Sequence, residues 1–240
     1  MRKYITIIGM IFAFSFGLAS STSGPKPQLH RVLSLNSQNL VFIDGPINHG
    51  SIREAQRELT RLLKLRGHLP YPIYVAFRSP GGNVSAGMYL YEQLKTATNV
   101  HTIMIEAFSM GAILPQLIAG KRYVLESSEI MLHRISYVFS NEQLQLEELE
   151  KLVKRGQAFE DYVESKVAHR SERSLMDYRD RITKDWYMGA HEAIEQKFAD
   201  EIVVLHCDDS LQKEHTIIIP GLPPFLPDQK IKKVKCPIIL

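Results

Sequence analysis

Cysteine, charge bias and long apolar runs are all scarce in this chain. Two cysteines among 240 residues, Cys207 and Cys236, exclude a small scaffold built on disulfides. Lysine and arginine exceed aspartate and glutamate by 29 − 26 = 3, so the net charge favours no nucleic-acid partner. The spacing Gly-x-Gly-x-x-Gly is missing from the turn Ser79-Pro-Gly-Gly82, which excludes a dinucleotide fingerprint there. His191-Glu192 opens like a zinc-protease motif, but Glu195 stands where its second histidine is required, so no metal site is expected. What is present, 45% hydrophobic and 23% charged residues, is the composition of a globular protein able to bury a sizeable core.

The N-terminus has a composition of its own. Arg2 and Lys3 precede an uncharged, mostly apolar run from Ile5 to Ala19 that ends in small residues. Its 15 residues are fewer than the roughly 20 of a bilayer-spanning helix. Residues 1–19 are therefore expected to be a secretory signal peptide cleaved after Ala19, the alternative being an uncleaved membrane anchor. Cleavage removes Arg2 and Lys3 and leaves a formal charge of 3 − 2 = +1 on an exported protein. In an oxidising compartment Cys207 and Cys236 either pair, stapling the C-terminal tail, or remain free thiols; the sequence leaves both open.

Residues 20–30 are rich in Ser, Thr, Gly and Pro and are expected to form a flexible leader to a domain spanning 31–205. Within that domain strands and helices alternate. Leu40–Ile43 and Ile73–Phe77 are apolar strand candidates, Ser51–Leu65 has helical spacing through Ile52, Ala55, Leu59 and Leu62, and Ser85–Thr96 forms a second helix after the glycine turn. The same unit recurs as Val100–Ile105, a turn at Ser109-Met-Gly111, and Ala112–Ala119. Tyr123–Leu125 and Ile130–Leu132 are expected as two short strands, and Ile202–Leu205 as the last. Between them Glu142–Ala168 is a long amphipathic helix, with Leu144, Leu149, Leu152, Phe159 and Val163 expected on its buried side. The alternation specifies an α/β protein. Residues 206–240, with Pro220, Pro223, Pro224, Pro227 and a lysine cluster, are expected to be an irregular tail.

Both glycine turns join a strand to a helix and so aim backbone N–H groups at whatever carries negative charge before the helix. Ser109 stands on the second. A serine at such a bend is held out for nucleophilic attack, although Ala107 replaces the first glycine of the elbow pattern and a plain helix N-cap is the competing reading. A nucleophilic serine needs a base and an orienting acid. His133 directly ends an apolar strand, where α/β folds place functional groups; Asp185 precedes Trp186-Tyr187-Met188, and Asp177 and Asp180 compete with it. The order serine, histidine, aspartate matches neither α/β-hydrolases nor the chymotrypsin and subtilisin families. Asn83-Val84-Ser85 matches a glycosylation site but, beside the glycine turn, is better taken as a helix start.

Phe77-Arg-Ser-Pro-Gly-Gly-Asn-Val-Ser-Ala-Gly-Met88, Ala107-Phe-Ser-Met-Gly-Ala112, Gly120-Lys-Arg122 and Ile130-Met-Leu-His133 together resemble the proteolytic subunit of the Clp protease, in the Clp-crotonase superfamily, over about Val32 to Val204. The resemblance implies a fold of repeated strand-strand-helix units with a long protruding handle helix. It implies Ser109 as nucleophile, His133 as base and Asp185 as orienting acid, with Gly82 and Met110 as oxyanion donors. Gly81 and Val84, with the strand after His133, would line the peptide groove. It further implies a serine endopeptidase acting on peptides or unfolded proteins, homo-oligomeric, with no metal or organic cofactor. Two departures stand out: Arg134-Ile-Ser-Tyr-Val-Phe139 replaces the family's Gln-Pro pair and glycine-rich strand, putting the double ring in doubt, and export would separate the chain from ATP-driven unfoldases. Two other readings compete: an inactive scaffold subunit, and a crotonase-like acyl-CoA enzyme that shares the oxyanion turn without needing the serine triad.

Overall fold

In the computed structural model, β1 (Arg31–Leu35) and β2 (Leu40–Asp44) lead into α1 (His49–Leu65), and β3 (Ile73–Ser79) into α2 (Val84–Leu94). β4 (Val100–Phe108), α3 (Met110–Leu117) and β5 (Arg122–Leu132) follow. α4 (Leu146–Arg170), α5 (Leu175–Arg181), β6 (Trp186–Gly189), α6 (Ala190–Glu195) and β7 (Glu201–Cys207) complete the domain. The described residues are 30–65, 72–137, 145–212, 214–219, 229–234 and 236–237; the expected signal peptide, and the leader up to residue 29, lie outside them.

The strands form one sheet in the order β1-β7-β5-β4-β3-β2, parallel along that path, with β6 added antiparallel to β5. This is the parallel α/β architecture that the alternation of strands and helices predicts. β3 and β4 are apolar almost throughout because both faces of the sheet are covered. One face packs Val41, Val75, Phe77 and Met104 against Ile52, Leu59, Leu90 and Leu114 of the helices. The other packs Tyr74, Ile103 and Tyr123 against Leu33, Leu35, Val203 and Leu205 of β1 and β7.

Two expected short strands prove to be one bent strand, β5. Its pairing with β4 jumps from Met104↔Val124 to Glu106↔Glu129. Ser128 bridges the jump: its hydroxyl donates to the Met104 carbonyl at 2.6 Å and accepts from the Leu125 N–H at 2.8 Å. Below the bend β5 pairs with β7, and above it with β6. The upper half is the part that ends at His133.

α4 differs from expectation along its first half. Leu149 and Leu152 are exposed, as is every residue from 146 to 155, because no described residue covers them; only from Phe159 onward does the helix meet the core, burying Val163 and Val167. Leu144 lies outside the described residues. At 25 residues the helix is about 37 Å long and projects as a handle.

Within the expected irregular tail, α7 (Asp209–Gln212) is followed by β8 (Glu214–Ile219) and β9 (Gln229–Val234), which pair antiparallel. The four prolines between 220 and 227 fall between these strands, where they break no ladder bond. Cys207 and Cys236 are joined in a disulfide that ties the pair of strands to the end of β7. Closing a loop of 29 residues contributes roughly 3–4 kcal/mol in the chain-entropy account.

Arg122, 4% exposed, fixes the start of β5. Its guanidinium donates to Gln116 Oε1 at 2.6 Å, to the Lys197 carbonyl at 2.8 Å, and to both Asp200 carboxylate oxygens at 2.6 and 3.2 Å. Burial acts to raise the Asp200 pKa, but the hydrogen bonds and charge of Arg122 outweigh it and hold the carboxyl below its ordinary value. A depressed carboxylate contributes stability that is present above its unfolded-state pKa and lost as pH falls through the lower folded value. Replacing Arg122 by methionine is expected to destabilise the fold by about 3–5 kcal/mol in a denaturant titration, because Asp200 and Gln116 are left without their partner. The same variant should lose the acid-side fall in stability that the wild-type pair produces.

Candidate active site

The sharp bend after β4 puts Ser109 at φ +54°, ψ −123°, a conformation that costs a non-glycine residue roughly 1–3 kcal/mol and survives only where its surroundings enforce it. They do so through backbone bonds. The Ser109 N–H donates to the Met131 carbonyl at 2.8 Å, and its carbonyl accepts from Ala112 and Ile113 in the first turn of α3. The hydroxyl makes no capping bond, so Ser109 does not act as a side-chain N-cap. Instead its Oγ lies 2.7 Å from Nε2 of His133, the residue that follows β5. Strain at the bend and the hydrogen bond to a half-buried imidazole are one arrangement: the bend is what turns the hydroxyl toward the strand next door.

The glycine turn packs directly on this bend. Gly81 has φ +92° and Gly82 φ +139°. A β-carbon on Gly81 would stand 2.6 Å from the Phe108 carbonyl and from Ser109 Cβ, and 3.0 Å from Met110 N. One on Gly82 would stand 2.3 Å from the Ile47 carbonyl. Ile47 clamps the turn from the other side, donating its N–H to Gly81 O and accepting from Asn83 N–H, each at 2.8 Å. That pairing leaves the N–H of Gly82 pointing away from Ile47. Neither it nor the Met110 N–H at the start of α3 is bonded to any described residue. Two free amides, one on each turn, thus flank the serine. Ile47 carries no signal in the sequence beyond being an apolar residue after a turn.

Val84 is half-buried at the first position of α2. Asn83 caps that helix through its side-chain oxygen, which accepts from Ala86 N–H at 2.8 Å, as its place beside the turn suggests. Met110 turns its side chain inward, fully buried against Gly87 of α2.

Asp185 is exposed and makes no side-chain hydrogen bond or ion pair with a described residue. Its place in the sheet is nevertheless specific. The antiparallel pairing of β5 and β6 ends at Leu132↔Trp186, and His133 and Asp185 are the next residues beyond that last pair on the two chains. Residues paired within a ladder have β-carbons about 4.5–5.5 Å apart, and two residues that flank its last pair are near neighbours. The competing acids stand elsewhere: Asp177 pairs with Arg173 at 2.7 Å on α5, and Asp180 lies on the same helix.

No strand follows His133 in the described residues through Tyr137, unlike the groove strand the resemblance implies. This segment folds onto α4 instead. Arg134 pairs with Glu160 at 3.6 Å, and the Tyr137 hydroxyl donates to the Gly156 carbonyl at 2.7 Å. His191, half of the discounted zinc motif, lies 2.8 Å from Glu126.

A parallel α/β sheet with a serine on a strained strand-to-helix bend, bonded to a histidine from the neighbouring strand and flanked by two free amides, defines a class of hydrolase-like sites. The family model of the Clp protease matches residues 27–206 of the 240, and the chain belongs to that family. Membership implies a serine peptidase, in a family whose members typically form oligomers and act on peptides.

Proposed function

We propose that this chain is an exported serine endopeptidase that hydrolyses peptide bonds without an ATPase partner. The observation that carries the reading is the 2.7 Å contact between Ser109 Oγ and His133 Nε2 on a bend strained to make it. His133 takes the hydroxyl proton as Ser109 attacks the carbonyl carbon, and returns it to the leaving amine. The amides of Gly82 and Met110 receive the oxyanion, and Asp185, rotated inward once substrate is bound, orients the imidazole. Gly81 and Val84 border the groove. Water then attacks the acyl-serine, with His133 again as base, and releases the second product. No step calls on a metal or organic cofactor. Subunits associate into a homo-oligomer; with Arg134–Tyr137 folded onto α4, the described residues present no handle strand for a double ring.

The basic start at Arg2-Lys3 with its apolar run supports export, and the Cys207–Cys236 disulfide suits an oxidising compartment. Outside the cytoplasm no ATP sustains an unfoldase, so the substrates are short or already unfolded chains. A second reading, an inactive scaffold subunit, is favoured by one observation: Asp185 is exposed and pairs with no described residue. A fluorophosphonate probe separates the two. Labelling of wild type and not of Ser109→Ala supports the peptidase; a wild type that labels no more than Ser109→Ala, yet assembles normally by size, supports the scaffold.

A further inference from the structure

The sheet face that carries His133 also carries an ordered set of side chains leading away from it. Register places Phe108 of β4, Met131 of β5 and Tyr187 of β6 side by side in one row. The Phe108 and Tyr187 rings meet edge to face with centroids 6.3 Å apart, and Tyr187 is 53% exposed. This row adjoins the nucleophile, because the Met131 carbonyl is the acceptor for the Ser109 N–H. One row further from the dyad stand Glu106, Glu129 and Gly189, again in register.

Both glutamates are exposed, and neither forms a hydrogen bond or ion pair with a described residue. Like charges directly opposite on neighbouring strands repel. The cation next along the row, Arg78, is held by Asp44 through two hydrogen bonds of 3.0 Å and interacts with Glu106 only electrostatically, forming no hydrogen bond with either glutamate. A β-carbon on Gly189 would meet nothing within 4 Å, which leaves open space beside Glu129.

We propose that this ledge determines which peptides the enzyme takes: an aromatic or large apolar side chain rests on Phe108, Met131 and Tyr187, and a lysine or arginine two residues along reaches Glu106 and Glu129. The spacing supports it, since successive rows on one sheet face are separated by two residues, about 6.6–6.8 Å, the repeat of side chains on one edge of an extended peptide. The charge supports it too, because a cation between two unpaired carboxylates relieves their repulsion. This inference rests on the peptidase reading and adds a substrate class to it.

The test uses the full chain carrying Ser109→Ala and three fluorescent, unstructured peptides that differ only in a central Phe-Gly-Arg, Phe-Gly-Glu or Ala-Gly-Arg. Fluorescence anisotropy reports binding with no hydrolysis required. The Phe-Gly-Arg peptide is expected to bind roughly five- to tenfold tighter than Phe-Gly-Glu at low salt, the range two exposed ion pairs supply, with the gap closing at high salt. Adding Glu106→Gln and Glu129→Gln, both surface changes, should erase that gap, and Tyr187→Ala should erase the advantage over Ala-Gly-Arg. Equal binding of the three peptides, or a preference that survives the double glutamine variant, overturns the proposal. Its failure is distinguishable from failure of the peptidase reading, because the latter shows as absent probe labelling of wild type whichever peptides bind.

Discussion

Alanine at Ser109 or at His133 is expected to lower kcat about a millionfold, and asparagine at Asp185 about ten-thousandfold, as befits groups that act as one unit. On the proposed mechanism Ser109→Ala removes the hydroxyl that forms the acyl intermediate. His133→Ala leaves the hydroxyl, turned outward by its bend, with no acceptor for its proton. Asp185→Asn is the more informative change, because the carboxylate flanks the last β5–β6 pair beside His133 yet is exposed and bonds to no described residue. Single-turnover hydrolysis of an unstructured peptide measures all three. If Asp185→Asn turns over at the wild-type rate, Asp185 plays no part in orienting the imidazole, and Ser109 and His133 work as a dyad.

A methyl group at either turn glycine should come next in effect. Gly82→Ala places a β-carbon 2.3 Å from the Ile47 carbonyl at a φ of +139° that alanine rarely adopts, so the turn must shift and carry its amide with it. Loss of one oxyanion donor lowers kcat about a hundred- to a thousandfold. Gly81→Ala pushes against Ser109 Cβ itself at 2.6 Å and should reduce probe labelling as well as turnover. Circular dichroism and thermal unfolding of each variant check that the fold is retained. A kcat within tenfold of wild type for Gly82→Ala would remove that amide from the mechanism.

Much of this arrangement was legible in the sequence because it is local. Leu40–Asp44, Ile73–Ser79 and Val100–Phe108 are apolar runs closed by turn residues, and Ser79-Pro-Gly-Gly82 and Ser109-Met-Gly111 announce bends that must admit positive φ. The candidate residues emerged from the motifs they sit in. What stayed hidden depends on partners distant in the chain. Trp186–Gly189 is four residues with no period of its own and becomes a strand only by pairing with Glu129–Leu132. Leu149 and Leu152 sit at helical spacing, which shows that they share a face and not that anything covers it. The tail's prolines masked two strands because composition averages over a loop and its flanks. The Phe108–Met131–Tyr187 row cannot be found without register, since its three members come from motifs tens of residues apart.

The pairing of β1 with β7 sets Arg31 against Val203, a separation of 203 − 31 = 172 residues. The first strand of the described residues therefore has no strand partner until almost the whole domain has emerged. Such distant contacts slow folding, because the entropy of closing a long loop must be met before any contact rewards it. β1 stays unpaired meanwhile, and a nascent chain spends that interval open to strand exchange with other copies.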